Sequence, residues 1–142
     1  MKEDQIIIHT DGGARGNPGP AASAFVVEQN GSVIERGSLF LGNATNNVAE
    51  YNGVILAIQW FIKNSDKFTD IKIIFCLDSE LVVRQLNGVY KVKDANLQRL
   101  HGKVNELIES AGVEILFKHV PRSENKIADQ LVNEELDRNS VL

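Results

Sequence analysis

Apolar residues recur along this chain at two different spacings, and the spacing changes at turn-forming residues. Short runs rich in β-branched residues predict strands, whereas apolar residues three or four positions apart predict helices. The predicted order is three strands, a helix, a strand, two helices, a strand and a final helix, or βββαβααβα. The strands are predicted at residues 5–10, 22–29, 32–41, 71–77 and 113–119. The first helix is predicted to follow a cap at Asn46 or Asn47 and has its apolar residues within 51–62; the other helices are predicted from Ser79 and around the apolar residues within 97–108 and 127–136.

The first three strands are predicted to form an antiparallel meander. Asn30-Gly31 separates the second strand from the third, and this dipeptide is the strongest short signal for a β-hairpin. The later strands alternate with helices, which is typical of crossover connections in a sheet. The pattern therefore predicts an α/β fold.

Length and composition indicate one compact domain. The chain has 142 residues, of which 43% are apolar and 24% charged, and such values are ordinary for a globular protein. Its one cysteine, Cys76, lies inside an apolar run, so we expect a reducing compartment and no disulfide framework. Met1 is followed by KEDQ, and no apolar run reaches the roughly 18 residues that a membrane span needs. The expected location is the cytoplasm, with no membrane partner.

The charge distribution bears on whether a polyanion can bind. The net charge of −4 argues against a nucleic-acid partner, because phosphate binding draws on Lys and Arg. Between Arg84 and Lys126, however, eight basic residues stand against five acidic ones, so this stretch carries +3 and the remainder −7. A solvated helix face explains these positions at least as well as a binding patch. Metal cations bound by acidic residues would also offset the negative charge, so a polyanionic substrate is not excluded.

Four acidic residues lie where a fold of this kind presents side chains to a cleft. Two sit at or just past the carboxyl ends of predicted strands, the edge at which α/β sheets bind ligands. The other two sit near helix starts, the first of them in the opening turn of a helix that Asn46 or Asn47 can cap. A turn or the helix dipole explains each one singly, but together they form a set of oxygen ligands suited to Mg²⁺ and to phosphoryl-transfer chemistry. In the same order they are Asp11 and Asp78, then Glu50 and Asp129.

Four sequence segments, in order and within residues 5–136, resemble the type 1 ribonuclease H family. They are TDGGARGNPGPA, TNNVAEY, LDSELVVRQLNG and HVPRSENKIAD, and four motifs in register make the match specific. The resemblance implies one ribonuclease H domain over residues 1–142, with a five-stranded mixed sheet of three antiparallel and then two parallel strands, flanked by helices. It also implies an endonuclease that hydrolyses the RNA strand of RNA/DNA hybrids.

The chemistry implied by the resemblance is a two-metal mechanism that leaves 5′-phosphate and 3′-hydroxyl ends. Its cofactor is Mg²⁺, two ions per site, with Mn²⁺ as a substitute. His119 matches the family's loop histidine and would transfer a proton or escort the product. His9 and His101 have no such context, and we expect structural roles for both. The catalytic and metal-binding acids carry over onto Asp11, Glu50, Asp78 and Asp129.

Contacts to the substrate also carry over from the resemblance. Gly12 would let the backbone approach the sugar-phosphate chain closely. Asn17 and Thr45 resemble the family's contacts to a DNA phosphate, and Asn46 and Asn47 its contacts to base edges and sugars in the minor groove. A plain turn at GNPG and a plain helix cap at TNN are compatible with these roles.

Two departures from the family pattern bear on affinity. Glu80 replaces the Gln that many bacterial relatives carry after the Asp-Ser pair, so a neutral amide becomes a carboxylate that cannot donate. Residues 88–94 are too few for the family's basic, tryptophan-bearing helix, which marks the form that lacks this basic protrusion. We therefore expect Trp60 in or near the core, modest affinity for an RNA/DNA hybrid, no obligate protein partner and a monomer.

Two other functions remain alternatives. A nucleic-acid-binding module of the same fold with weak catalysis is one, although none of the four carboxylates is replaced here. A Mg²⁺-dependent phosphatase or 3′ exonuclease is the other. It explains the acidic quartet but neither the GNPG and TNN motifs nor the placement of His119.

Overall fold

The computed structural model describes residues 4–140, and its elements follow the predicted order βββαβααβα. Short 3₁₀ helices lie at Ser65–Lys67 and Arg122–Glu124. The strands are β1 (Asp4–Ala14), β2 (Gly19–Gln29), β3 (Ser32–Ala44), β4 (Ile71–Leu77) and β5 (Glu114–His119), and the helices are α1 (Asn46–Lys63), α2 (Glu80–Leu86), α3 (Ala95–Ala111) and α4 (Lys126–Arg138).

The five strands form one mixed sheet in the order β3-β2-β1-β4-β5. The strand pairs β1–β2 and β2–β3 are antiparallel, whereas β1–β4 and β4–β5 are parallel. Asn30 and Gly31 have φ values of 53° and 80°, and two positive φ angles are what a type I′ hairpin turn requires. The predicted meander and the mixed sheet are both confirmed.

Strand β1 is longer than its apolar pattern predicted. Its pairing with β2 continues through Asp11, which faces Ala24, to Ala14 opposite Ala21. Asp11 therefore lies within the strand, and its predicted place at or just past the strand end was wrong. The reason is non-local: β2 supplies hydrogen bonds to a stretch whose own sequence, DGGA, favours a turn.

Helices cover both faces of the sheet. On one face α1 and α3 enclose the larger core, whose fully buried side chains include Tyr51, Phe61 and Phe75. On the other face α4 packs Val132 and Leu136 against Ala22 and Ala24 of β2. The small alanine side chains let α4 lie close to the sheet, and this brings the start of α4 to the same edge as the start of α1.

Helix α1 begins at Asn46, one or two residues before the start that a cap at Asn46 or Asn47 predicts. Its N-cap is Thr45, whose Oγ1 accepts a hydrogen bond of 3.2 Å from the Val48 N–H. Asn46 and Asn47 are the first two helical residues, so their predicted capping role was wrong. Glu50 consequently lies beyond the first turn, in which the helix has no acidic residue.

The lone tryptophan packs beside the main core, as its position in the first long helix predicted. The Trp60 ring lies 6.0 Å from the ring of Phe25 and 6.1 Å from that of Phe68, measured between centroids. Within residues 4–140, no helix has both the length and the apolar character that crossing a membrane requires.

Candidate active site

Three acidic side chains converge at one edge of the sheet. Asp11, Glu50 and Asp78 each place a carboxylate oxygen within 4.8 Å of the others. The parallel pairing of β1 with β4 explains why Asp11 and Asp78 lie close together. His9 is paired with Cys76, and Asp11 and Asp78 each come two residues after this pair. Helix α1 packs against β1 on one face of the sheet, and this packing brings Glu50 to the two aspartates.

Glycine at position 12 allows α1 to approach β1. A Cβ atom on Gly12 would lie 2.2 Å from the Ala49 carbonyl carbon and 2.5 Å from the Glu50 nitrogen, distances that real Cβ atoms do not reach. The Gly12 N–H also points at Glu50, whose Oε1 lies 3.4 Å away. The structure thus gives Gly12 a packing role that the sequence interpretation, which had it approach the substrate, did not foresee.

The electrostatics of the cluster favour a bound cation. Burial, together with the nearby charge of Asp78, raises the pKa of Asp11 to about 7. Burial and the charge of Asp11 also raise the pKa of Glu50 well above its ordinary value. Glu50 Oε2 is buried without a hydrogen-bond partner among the described residues, and such an atom carries an uncompensated desolvation penalty. A divalent cation would satisfy this oxygen and offset the repulsion, so the residues present fit a metal.

The three carboxylates open into a cleft of about 390 Å³. Asp129, in the first turn of α4, lines this cleft, although it is not part of the three-carboxylate cluster. Of the predicted substrate contacts, Gly12, Asn46 and Asn47 also line it. The remaining predicted residues, which are not among the lining residues, are Asn17, Thr45, Glu80 and His119.

Asn17 and Asn46 link the glycine-rich loop to the start of α1. Asn17 Oδ1 accepts a hydrogen bond of 2.9 Å from the Asn46 N–H, and Asn46 Oδ1 accepts one of 2.8 Å from the Ala14 N–H. Both amide oxygens are therefore used within the protein. The Nδ2 groups of these residues are the donors that remain for a ligand.

His119 and Glu80 lie outside the lining of the cleft. His119 is the last residue of β5, lies opposite Leu77 and is exposed. Glu80 is the first residue of α2, and its Oε1 lies 3.0 Å from Arg84 Nε one turn further along the helix. The Glu80 carboxylate is thus directed along its own helix.

Two arginines that line the cleft were missed by the sequence analysis. Arg122 places its Nε 3.9 Å from Asp78 Oδ2 and is 88% exposed. Arg15, which directly follows β1, places its Nη2 2.7 Å from Asp137 Oδ1 of α4. The one available signal was that both lie inside the motif segments that carry acidic residues, DGGAR and HVPRSEN.

The other histidines make contacts within the protein, in keeping with the structural roles expected for them. His9 Nδ1 lies 3.1 Å from Asn125 Oδ1. His101 Nε2 lies 3.1 Å from the Gln85 carbonyl oxygen, and its ring meets the Tyr51 ring edge-on with centroids 6.4 Å apart.

Comparisons with known proteins agree with this geometry. Residues 9–135 match the family model described as reverse transcriptase-like. The ribonuclease HI of Halobacterium salinarum is 40% identical over 134 residues, which cover 94% of this chain and 65% of that protein. A bifunctional protein of Mycobacterium tuberculosis is 38% identical over 135 residues, which cover 94% of this chain and 36% of that protein. The chain therefore spans between 36% and 65% of the length of these curated relatives.

One solved structure matches this chain over nearly the whole length of both proteins. LC11-RNase H1, crystallised in complex with an RNA/DNA hybrid, matches with a TM-score of 0.89 and 43% identity, over 94% of this chain and 98% of that chain. In the present structure residues 87–94, between α2 and α3, contain no helix, as expected for the form without a basic protrusion. The family model, the relatives and the fold place this chain in the type 1 ribonuclease H family.

Proposed function

We propose that this protein is a metal-dependent endonuclease that hydrolyses the RNA strand of RNA/DNA hybrids. The observation that carries the proposal is the cluster of Asp11, Glu50 and Asp78, with carboxylate oxygens within 4.8 Å of one another and one buried oxygen left without a partner. LC11-RNase H1, which was crystallised with such a hybrid, supports the choice of substrate. We further propose that residues 1–142 form a single domain that acts as a cytoplasmic monomer.

The metal is proposed to be Mg²⁺, with two ions per site and Mn²⁺ as a substitute. A set made only of carboxylate oxygens suits hard cations of this kind. Asp11, Glu50 and Asp78 would hold metal directly, and Asp129 would complete the set from α4. When bound, the ions supply water activation and stabilisation of the leaving oxygen.

The protein's own groups then position the hybrid. Asn46 and Asn47 line the cleft, and the hydrogen bond from the Asn46 N–H to Asn17 holds the loop and the start of α1 together. We assign the DNA phosphate to Asn17 and Thr45, and close approach of the RNA backbone to Gly12. Because the 2′-hydroxyl distinguishes RNA from DNA, acceptor oxygens beside the cleft suit an RNA strand.

Two residues are proposed to act at the rim. His119 would take or deliver a proton as the product leaves, since it ends the strand next to the one that leads to Asp78. Arg122 neutralises charge beside Asp78 and is free enough to meet a phosphate, because its side chain is almost fully exposed.

The decisive test uses duplexes of identical sequence, labelled internally, as RNA/DNA, RNA/RNA and DNA/DNA. We expect internal cuts in the RNA of the hybrid alone, in Mg²⁺ but not in EDTA, with 5′-phosphate ends. The Asp78→Asn variant is the matched control and should bind the hybrid without cutting it. Binding without cleavage by the wild type would favour the weakly catalytic binding module, and release only of terminal nucleotides or phosphate would favour an exonuclease or phosphatase.

A further inference from the structure

His9 and Asn125 form a polar clamp between β1 and the start of α4. Asn125 is 1% exposed, and its Nδ2 donates a hydrogen bond of 2.9 Å to the Thr10 carbonyl oxygen. Its Oδ1 lies 3.1 Å from His9 Nδ1. A carbonyl only accepts, so the amide nitrogen must face Thr10, and the oxygen must accept from a protonated His9 Nδ1.

The clamp connects the surroundings of two proposed metal ligands. Thr10 directly precedes Asp11 in β1. The Asn125 carbonyl oxygen accepts a hydrogen bond of 3.1 Å from the Asp129 N–H, which closes the first turn of α4. Residues four apart on a helix lie on the same side of it. Asn125 therefore ties the turn that carries Asp129 to the strand that carries Asp11.

The Asn125 side chain bonds to β1 and does not cap its own helix. It occupies the N-cap position of α4, yet its side chain makes no capping hydrogen bond, although Asn is among the most effective capping residues. Its amide is used instead for the contact with β1. The side chain thus serves the placement of α4 rather than the local stability of the helix end.

The packing beside the clamp is incomplete. A cavity of about 140 Å³ lies between the sheet and the first turn of α4. The His9 side chain is 17% exposed, and on its other side Glu28 lies 4.0 Å from Nε2. The residues that line the cavity are His9, Val26, Glu28 and residues 123–128.

We propose that His9 is a positioning residue for the fourth carboxylate. By donating to Asn125, it fixes the first turn of α4 and hence the place of Asp129 in the cleft. The inference rests on the proposed function, because it takes Asp129 as a metal ligand.

The test compares His9→Phe, which keeps a ring but loses the donor, with His9→Asn, whose amide can donate from nearly the same place. Calorimetry of Mn²⁺ binding without substrate, and the exchange rate of the Asp129 N–H in metal-free protein, are measured beside kcat and KM. We expect His9→Phe to weaken Mn²⁺ binding by about tenfold, as loss of a group supporting a metal ligand does. Its Asp129 N–H should exchange faster and its kcat should fall with KM unchanged, whereas His9→Asn should stay close to the wild type.

His101→Phe is the control, because it removes the ring hydrogen bonds to the Gln85 carbonyl and to Asn105 without touching α4. It should lower the melting temperature and leave Mn²⁺ binding unchanged. The inference is overturned if His9→Phe also lowers the melting temperature but leaves Mn²⁺ binding unchanged. It is also overturned if neither His9→Phe nor the smaller His9→Val folds, since His9 would then be a core residue. A wild type that binds Mn²⁺ but leaves hybrids uncut would reject the proposed function and not this inference.

Discussion

At the scale of single residues, Asp11 and Glu50 share a buried environment in which their charges oppose each other. Burial raises the pKa of both side chains; the charge of Asp78 raises that of Asp11 further, and the charge of Asp11 raises that of Glu50. In the absence of metal, a carboxylate here weakens the fold, although the proposed chemistry requires it. Active sites commonly combine these two properties.

Asp11→Asn should therefore abolish nearly all turnover and raise the melting temperature of the metal-free protein. The change removes one charge from the cluster and keeps the shape of the side chain. We expect a rise of about 2–8 °C, if relief of repulsion contributes about 1–2 kcal/mol and each kcal/mol shifts the midpoint by about 2–4 °C. Thermal unfolding in EDTA measures it, with the exposed Asp66→Asn as control. A lower melting temperature for Asp11→Asn would contradict the electrostatic interpretation.

Glu80→Gln should tighten binding of the hybrid. In the structure Glu80 holds Arg84 by an exposed ion pair of 3.0 Å, so the amide both removes a negative charge near the cleft and releases a cation. Such exposed pairs contribute only about 0.2–1 kcal/mol to stability, and the melting temperature should barely change. We expect KM to fall severalfold and kcat to stay nearly constant, as when uniform binding is altered. Arg84→Gln should raise KM, and an unchanged KM in both variants would place this pair away from the substrate.

At the scale of elements, the site depends on how closely α1 lies on β1. Gly12 of β1 lies directly against the peptide bond between Ala49 and Glu50 of α1. One turn further along α1, a Cβ atom on Gly53 would lie 3.0 Å from the Asp11 carbonyl oxygen. Two glycines, one on each element, thus allow the close contact that brings Glu50 to Asp11.

Gly12→Ala is expected to push α1 away from β1. An added Cβ would overlap the Ala49 carbonyl carbon at 2.2 Å, and overpacking of this kind destabilises by about 1–3 kcal/mol or more. Mn²⁺ binding should weaken as well, because Glu50 moves with the helix. Gly13→Ala is the matched control: its Cβ would meet nothing closer than 3.9 Å. Urea unfolding and calorimetry of both variants provide the measurement, and equal losses in the two would argue against the packing role of Gly12.

The element order could be predicted from sequence because it depends on local spacing of apolar residues and on turn-forming dipeptides such as Asn30-Gly31. The residues at which elements begin and end could not be predicted in this way. Thr45, Asn46 and Asn47 are all competent caps, and the choice of Thr45 depends on Asn46 being bonded to a loop distant in sequence. The extension of β1 through Asp11 likewise depends on β2.

The acidic cluster was predictable in part for the same physical reasons. Asp78 directly follows a buried strand, a position that can be read locally. The position of Glu50 in α1 was misjudged by one or two residues, which places it just beyond the first turn, yet the residue still lines the cleft. Arg122 was missed because its approach to Asp78 depends on the path of a loop. The direction of Glu80 was missed because it follows from the pairing with Arg84.

At the scale of the whole molecule, the cluster makes stability depend on pH. The pKa of Asp11 is raised from 3.8 to about 7, so between these pH values the folded protein binds more protons than the unfolded chain. The contribution of Asp11 to the free energy of unfolding then falls as pH rises through this window. We expect metal-free protein to be most resistant to urea near the lower end of the window.

Unfolding in urea with EDTA, at several pH values across that window, checks this expectation. The Asp11→Asn protein should show a flatter profile, since its side chain no longer titrates. Saturating Mg²⁺ should stabilise the wild type most at the upper end, where the carboxylates are ionised and a ligand of the folded state acts by mass action. A wild-type stability that rises steadily from pH 4 to 7 in EDTA would rule out a net contribution of this sign.

The four carboxylates come from β1, α1, the end of β4 and α4, and so from almost the full length of the chain. No fragment that ends before α4 contains the whole set. During synthesis the strand pairing of β1 with β4 must wait for the middle of the chain, and Asp129 arrives only with the last helix. A contact between residues far apart in the chain has to wait until both have been synthesised, so the full acidic set exists only once α4 has docked. On the proposed function, full hydrolytic activity would appear only at that point.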